Sequence, residues 1–258
     1  MTYFRPTALS EALSWLADRD ASIAAGCTDL FPATTFREIS GSVLDVTAIK
    51  GLRGITEETN YWRIGGATTW TDIIRADLPT AFDGLKLAAR EVGSVQIQNA
   101  GTVAGNVCNA SPAADGVPCL LTLDALVELT STRETRCLDL SDFLIGPRQT
   151  ARLADEILTA ILIPKSAVDG LATFRKLGAR RYLVISIAMV AARLVVRNDT
   201  IEQAAIAVGA CGPIARRLTS IEADLTGKSP SLDIANSITD ERISTYLNAI
   251  DVVRGDAA

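Results

Sequence analysis

The sequence contains no histidine. That absence removes a Ser-His-Asp triad, a histidine-ligated zinc site and an imidazole acid/base switch. Any chemistry must come from carboxylates, cysteine, the backbone or a bound cofactor. Cysteine is sparse: Cys27, Cys108, Cys119, Cys137 and Cys211 show no CxxC spacing and make an odd count. This usage suits a reducing compartment better than a disulfide framework, and it argues against an iron–sulfur cluster held by this chain alone. Neither GxGxxG nor GxxxxGK[ST] occurs, so a Rossmann or Walker site is not supported. Positive charge is also short, with 25 Lys+Arg against 30 Asp+Glu and a formal charge of −5. Non-specific binding to nucleic acid or anionic membrane is therefore disfavoured. The most apolar stretch, 183–196, is interrupted by Arg193 and is too short for a membrane span. MTYFRPTALSEALSWL lacks a basic segment followed by a continuous apolar run. No secretory signal is expected from it, and the expected location is cytoplasmic.

What is present is a chain of 258 residues, 48% hydrophobic and 21% charged. That length buries a sizeable core and fits roughly two domains or lobes. Leu9, Leu13 and Leu16 mark one face of a helix over 8–17. SIAAG at 22–26 and SVLDV at 42–46 read as strands, so the first fifty residues alternate between helix and strand. NYWRIGGATTWTDI at 60–73 predicts a strand, a glycine turn and a helix capped by Thr69 or Thr71, with another helix over 85–92. The stretch that follows is interrupted by Gly101, Gly105, Asn106, Ser111 and Pro112 and reads as a compact loop rather than a long helix. A helix over 118–123 and a strand over 126–129 come next. Residues 157–163 run apolar up to Pro164, as an edge strand does. Beyond a soft boundary between Pro164 and Phe174, 187–196 and 204–208 read as strands and 218–225 and 243–250 as helices. Residues 185–190 read as core.

Two small-residue bends stand out. In AAGCTDL, 24–30, the successive N–H groups of Gly26, Cys27, Thr28 and Asp29 can form an anion nest, with the Thr28 hydroxyl as a further donor. On spacing alone an ordinary strand-to-helix cap is the first reading of these residues, with phosphate binding second and Asp29 equally able to serve as the N-cap of the next turn. In NAGTVAGNVCNASPAAD, 99–115, Gly101 and Gly105 sit among Thr102, Asn106, Asn109, Ser111 and Asp115. Short polar side chains of this kind either satisfy the backbone of a tight loop or line a diphosphate and sugar. Two such bends in one chain favour an extended, phosphate-bearing ligand. The cations Arg175, Lys176, Arg180 and Arg181 form either a solvated face or a contact with a partner or a phosphate. Cys27 and Cys108 read as small packing residues or as thiols beside a ligand.

These motifs carry a resemblance. AAGCTDL at 24–30, QIQNAGTVAGNVCNASPAAD at 96–115, FRKLGARRYLVISIAMVAARL at 174–194 and AIAVGACGPIARRLTSIEADLTGK at 205–228 resemble the FAD-binding medium subunit of the molybdenum hydroxylases. That group includes xanthine, carbon monoxide, nicotinate and hydroxybenzoyl-CoA enzymes. The resemblance implies an α+β fold of the vanillyl-alcohol-oxidase type, with two α/β subdomains (1–55 and 56–168) holding FAD, then a small α/β carboxy-terminal domain (169–258). It assigns Ala25, Gly26, Cys27, Thr28 and Asp29 to the diphosphate. Thr102, Gly105, Asn106, Ser111 and Asp115 fall to the diphosphate and flavin, and Lys176 to the isoalloxazine region. No catalytic residue or metal ligand is implied in this chain. A molybdopterin-type cofactor is expected on a large partner subunit and two [2Fe-2S] clusters on a small one, in a heterotrimer or a dimer of heterotrimers. Electrons would then leave the flavin for NAD, oxygen or another small acceptor. A stand-alone flavin oxidase and a non-enzymatic small-molecule-binding or assembly protein remain the alternatives.

The sequence departs from the family pattern in four places. Cys27 stands where a second glycine is usual, which implies either a negative φ or strain. Ala104 replaces the first glycine of a GGN, and Gln98 stands where arginine is frequent. DVVRGDAA, 251–258, falls where relatives commonly continue into a further helix.

Overall fold

The computed structural model describes residues 2–32, 41–181, 183–236 and 238–247. Among the described residues, three larger sheets follow one another along the chain, with a two-stranded one formed by residues 144–146 and 149–150 beside the second. The first is parallel: β1 (Thr2–Phe4), α1 (Leu9–Leu16), β2 (Ala21–Ala24) and β3 (Ser42–Asp45), with β3 central in the order β1-β3-β2. Leu13 and Leu16 of α1 are buried against Leu44 and Val46, and the same cluster continues through Leu52, Ala67 and Ile157 into the next unit. The first sheet is thus bound to the second by a shared apolar core rather than by a linker.

The second sheet is antiparallel. Its strands are β4 (Ile55–Glu57), β5 (Tyr61–Gly65), β6 (Leu126–Thr130) and β7 (Thr135–Asp139), with a fifth, Ile157–Pro164, between β5 and β6. That last strand becomes β10, after β8 (Leu144–Gly146) and β9 (Gln149–Thr150). The edge-strand reading of 157–163 is therefore corrected: β10 is the centre of the order β4-β5-β10-β6-β7. Residues 157–163 are all buried. A continuous apolar run marks a strand covered on both faces, and Pro164 merely ends it.

Between β5 and β6 lie the helices that shape the site: α2 (Trp70–Arg75), α3 (Asp83–Glu91), α4 (Val95–Ala100), α5 (Val103–Asn109) and α6 (Gly116–Thr122); α7 (Leu140–Phe143) follows β7. The compact loop expected after residue 94 is replaced by α4 and α5, one after the other. Ser94 caps α4 and Thr102 caps α5, each accepting from the backbone three residues on. The polar residues that suggested a loop are serving as helix caps. Gly101 and Thr102 supply the break between the two, with an extended backbone.

The third sheet runs β11 (Leu171–Leu177), β12 (Ala188–Arg197), β13 (Thr200–Gly209) and β14 (Arg216–Arg217) in order, all antiparallel. Asn198 and Asp199, both at positive φ, make the two-residue turn between β12 and β13. One face of this sheet packs through Phe174, Met189, Ala191 and Ala207 onto the main core. The other face holds α8 (Thr219–Leu225) through Ile206, Leu218, Ile221 and Leu225. Short helices α9 (Leu232–Ala235) and α10 (Asp240–Ser244) follow.

Two further expectations are corrected. Ile185 and Val190 are exposed rather than core, because residues 183–187 lie in a loop before β12 and Val190 faces outward on β12. The helix read over 243–250 instead starts at Asp240 and ends at Ser244, with Thr239 leading into it; 248–258 lie outside the described residues. Among the described residues no helix is long and apolar enough to cross a membrane.

Candidate functional site

The bend after β2 and the break between α4 and α5 meet. A Cβ placed on Gly26 would lie 2.1 Å from the Ala100 carbonyl oxygen and 2.7 Å from the Gly101 Cα. The first bend therefore requires glycine because another stretch of backbone occupies the side-chain position. On the far side, Trp70 N–H donates to Gly101 O and Val103 N–H to Thr68 O, at 3.1 and 3.0 Å, pinning the start of α5 to the start of α2.

A cavity of about 540 Å³ opens where these segments converge. Ala25, Gly26, Cys27, Thr28 and Asp29 line one side, and Thr102, Gly105 and Asn106 line another. The rest of the wall is largely apolar: Ile23, Val46 and Leu52 from the first unit, Trp70, Val92 and Ile97 from the helices, and Ile157 and Leu158 from β10. Eight of the eleven residues assigned from sequence thus share one cavity.

Three do not line it. Ser111 accepts from Ala113 N–H in a local turn. Asp115 and Lys176 are paired with each other at 2.7 Å, both side chains 8% exposed, and Ser186 donates to the other Asp115 oxygen at 2.5 Å. Burial pushes the Asp115 carboxyl up, against the opposing hydrogen bonds from Lys176 and Ser186. The pair ties the loop before α6 to β11. Of the basic run, Arg180 closes its own loop by donating to Leu183 O.

The site is rich in unspent donors. Among the described residues, the N–H groups of Gly26, Cys27, Thr28 and Asp29 donate to no protein acceptor. Buried or half-buried backbone is normally paired, so this concentration of free donors suits an anionic ligand. Asn106 adds an orphan of the opposite kind: its Oδ1 is fully buried and has no hydrogen-bond partner. Cys27 adopts φ +56, the left-handed region that the glycine pattern anticipates. Its Sγ contacts Ala25 O at 3.6 Å, and burial followed by the Asp45 charge pushes its thiol up. Burial pushes Cys108 up to about 11. Both thiols are held protonated and weakly nucleophilic at neutral pH. Ala104, by contrast, sits inside α5 without strain, and Gln98 donates to Arg90 O at 3.1 Å, closing the end of α3.

Sequence reasoning missed Arg152, a cation on the cavity wall from the turn between β9 and β10. A single arginine in a turn carries no spacing signal.

The sequence match divides the same way as the sheets. Residues 1–166 match the family described as the FAD binding domain in molybdopterin dehydrogenase, and 172–258 the CO dehydrogenase flavoprotein C-terminal domain. The chain belongs to the FAD-binding medium subunits of the molybdenum hydroxylases. Relatives include the nicotinate dehydrogenase FAD-subunit of Eubacterium barkeri, 38% identical over 72% of this chain and 65% of that one. The xanthine dehydrogenase FAD-binding subunit of Escherichia coli O157:H7 is 32% identical over 82% and 74%. Among solved structures, carbon monoxide dehydrogenase from Hydrogenophaga pseudoflava, in a form lacking the Mo-pyranopterin moiety, superposes with a TM-score of 0.91 at 25% identity. That match covers 100% of this chain and 90% of the other. Quinoline 2-oxidoreductase from Pseudomonas putida 86 gives 0.87 at 25% identity, covering 98% and 88%. The medium-subunit residues present fit FAD: free N–H donors for a diphosphate and apolar walls for ring systems.

Proposed function

We propose that this chain is the flavin-bearing electron-transfer subunit of a molybdenum-cofactor hydroxylase. In this reading it takes electrons from [2Fe-2S] clusters of a small partner subunit and delivers them to NAD, oxygen or another acceptor, while a large partner subunit carries the molybdenum cofactor. The units are 1–55, 56–168 and 169–258. The observation that carries the reading is the cavity shared by the 25–29 and 102–106 segments, where the N–H groups of 26–29 donate to no acceptor among the described residues.

The N–H groups of Gly26 through Asp29 and the hydroxyls of Thr28 and Thr102 bind the diphosphate. Asn106 contributes its amide to the cavity wall. Asp115 and Lys176, paired with each other, tie the loop before α6 to β11. FAD supplies the two-electron to one-electron redox chemistry, and this chain supplies position and exclusion of water. No side chain acts as a general base.

Purification of the native complex under gentle conditions, with a visible spectrum and cofactor extraction, tests the assignment. Flavin and iron–sulfur absorption with molybdenum in the same particle support it. A flavin-free chain that cannot be reconstituted with FAD, or an isolated chain that turns over substrate with oxygen, contradicts it.

A further inference from the structure

Arg152 is held by a turn built around a buried ion pair. The Glu156 carboxylate, 2% exposed, accepts two bonds from Arg136, at 2.6 and 2.9 Å, and one from Leu153 N–H at 2.7 Å. Arg136 also donates to Ala151 O at 2.8 Å. Both ends of 151–156 are thereby fixed. Within that turn, Arg152 Nη1 gathers the carbonyls of Leu153, Ala154 and Glu156 at 3.0, 3.4 and 2.8 Å. Its Nε and Nη2 donate to no protein acceptor among the described residues. One nitrogen anchors the guanidinium, and the others remain available on the cavity wall beside Cys108 and Asn109.

Charge decides what this arrangement is for. Among the described residues lining the cavity, Asp29 is the carboxylate and Arg152 the cation, in a chain of formal charge −5. Without Arg152 those residues would present a net negative wall to a ligand whose diphosphate is itself anionic. Backbone donors supply hydrogen bonds but no net charge.

We infer that Arg152 is a cofactor-binding residue, the countercharge for the phosphate-bearing half of the dinucleotide, pre-positioned by the Arg136–Glu156 turn. This rests on the flavin-subunit reading above and adds a residue that the motif pattern does not contain.

The test uses the full chain stripped of flavin and titrated with FAD by fluorescence at two salt concentrations. The variants are Arg152→Gln, Arg152→Lys and a charge-matched control, Arg133→Gln, whose exposed arginine pairs with Asp155. A charge-assisted contact of this kind predicts roughly tenfold weaker FAD binding in Arg152→Gln, with a flatter salt dependence, and no change in the control. Arg152→Lys keeps the charge but cannot reproduce the three-carbonyl clamp. Binding by Arg152→Lys that stays salt-sensitive and near parental supports the electrostatic role. Binding as weak as that of Arg152→Gln assigns the residue to the turn and overturns the inference, as does parental affinity in Arg152→Gln. Failure of the parent chain itself to bind FAD would instead overturn the flavin reading.

Discussion

Gly26 and Ala100 are in backbone contact: the position a Gly26 side chain would take is 2.1 Å from the Ala100 carbonyl oxygen. The two bends that line the cavity are therefore one structural unit, and each holds the other in place. Gly26→Ala must separate them. The expected outcome is a loss of about 1–3 kcal/mol of stability from overpacking, together with weaker FAD binding, read by chemical denaturation and flavin titration.

Next to it, Cys27 holds φ +56 with a Cβ present. A non-glycine residue in the left-handed region costs about 1–2 kcal/mol, partly offset by the smaller backbone entropy of the unfolded chain. Cys27→Gly should leave stability equal or raise it by up to about 1 kcal/mol, with FAD affinity retained. Cys27→Val should lower both, since branching at Cβ worsens the strain. Denaturant midpoints of the three proteins check the order.

Asn106 separates binding from folding. Its buried Oδ1 has no partner, and an unsatisfied buried acceptor costs about 1–3 kcal/mol. Asn106→Ala should therefore cost the flavin-free protein little stability, because it removes that penalty along with the packing. FAD binding should weaken by about tenfold, the loss of one amide contact at the cavity wall. A large fall in thermal midpoint of the flavin-free protein with unchanged FAD affinity would place Asn106 in the scaffold instead.

The Asp115–Lys176 pair, both side chains 8% exposed, should behave as a buried ion pair. Lys176→Met leaves a carboxylate without its partner and should destabilise by about 3–5 kcal/mol, while Asp115→Leu with Lys176→Met recovers much of that loss. Additive single-variant effects in the double-mutant cycle would contradict the coupling.

Acid should act through Glu156. Burial raises its pKa, but hydrogen bonds from Arg136 and Leu153 and the charges of Arg136 and Arg152 outweigh this and hold it below its ordinary 4.5. A carboxylate with a lowered folded value contributes stability that is full above 4.5 and lost as pH falls through the folded value. Asp115, raised by burial, runs the other way: its share is present below its ordinary 3.8 and lost as pH rises through its folded value. Glu156→Gln should flatten the fall in stability between pH 5 and pH 3, measured as the denaturation midpoint against pH.

The two bends were legible because glycine and short polar residues declare where a backbone must turn. Helices α1, α2 and α3 were legible from apolar spacing and caps. What misled were residues with two uses. Ser94 and Thr102 look like loop polarity and serve as helix caps. Residues 157–163 end in proline like an edge yet run through the middle of a sheet. Asp115 and Lys176, 61 positions apart, satisfy each other, a pairing that only the docking of the third sheet reveals. Arg152 was silent because its position depends on Arg136 and Glu156 rather than on its neighbours in sequence.

Amide hydrogen exchange with and without FAD tests the shared grip most directly. The N–H groups of 26–29 have no acceptor among the described residues, so they should exchange rapidly without flavin. FAD should slow them together with the N–H groups of Thr102 and Ala104, which likewise have no acceptor among the described residues, and leave the already paired 111–115 turn little changed. Slowing of one bend without the other, or of neither at saturating FAD, would contradict the account.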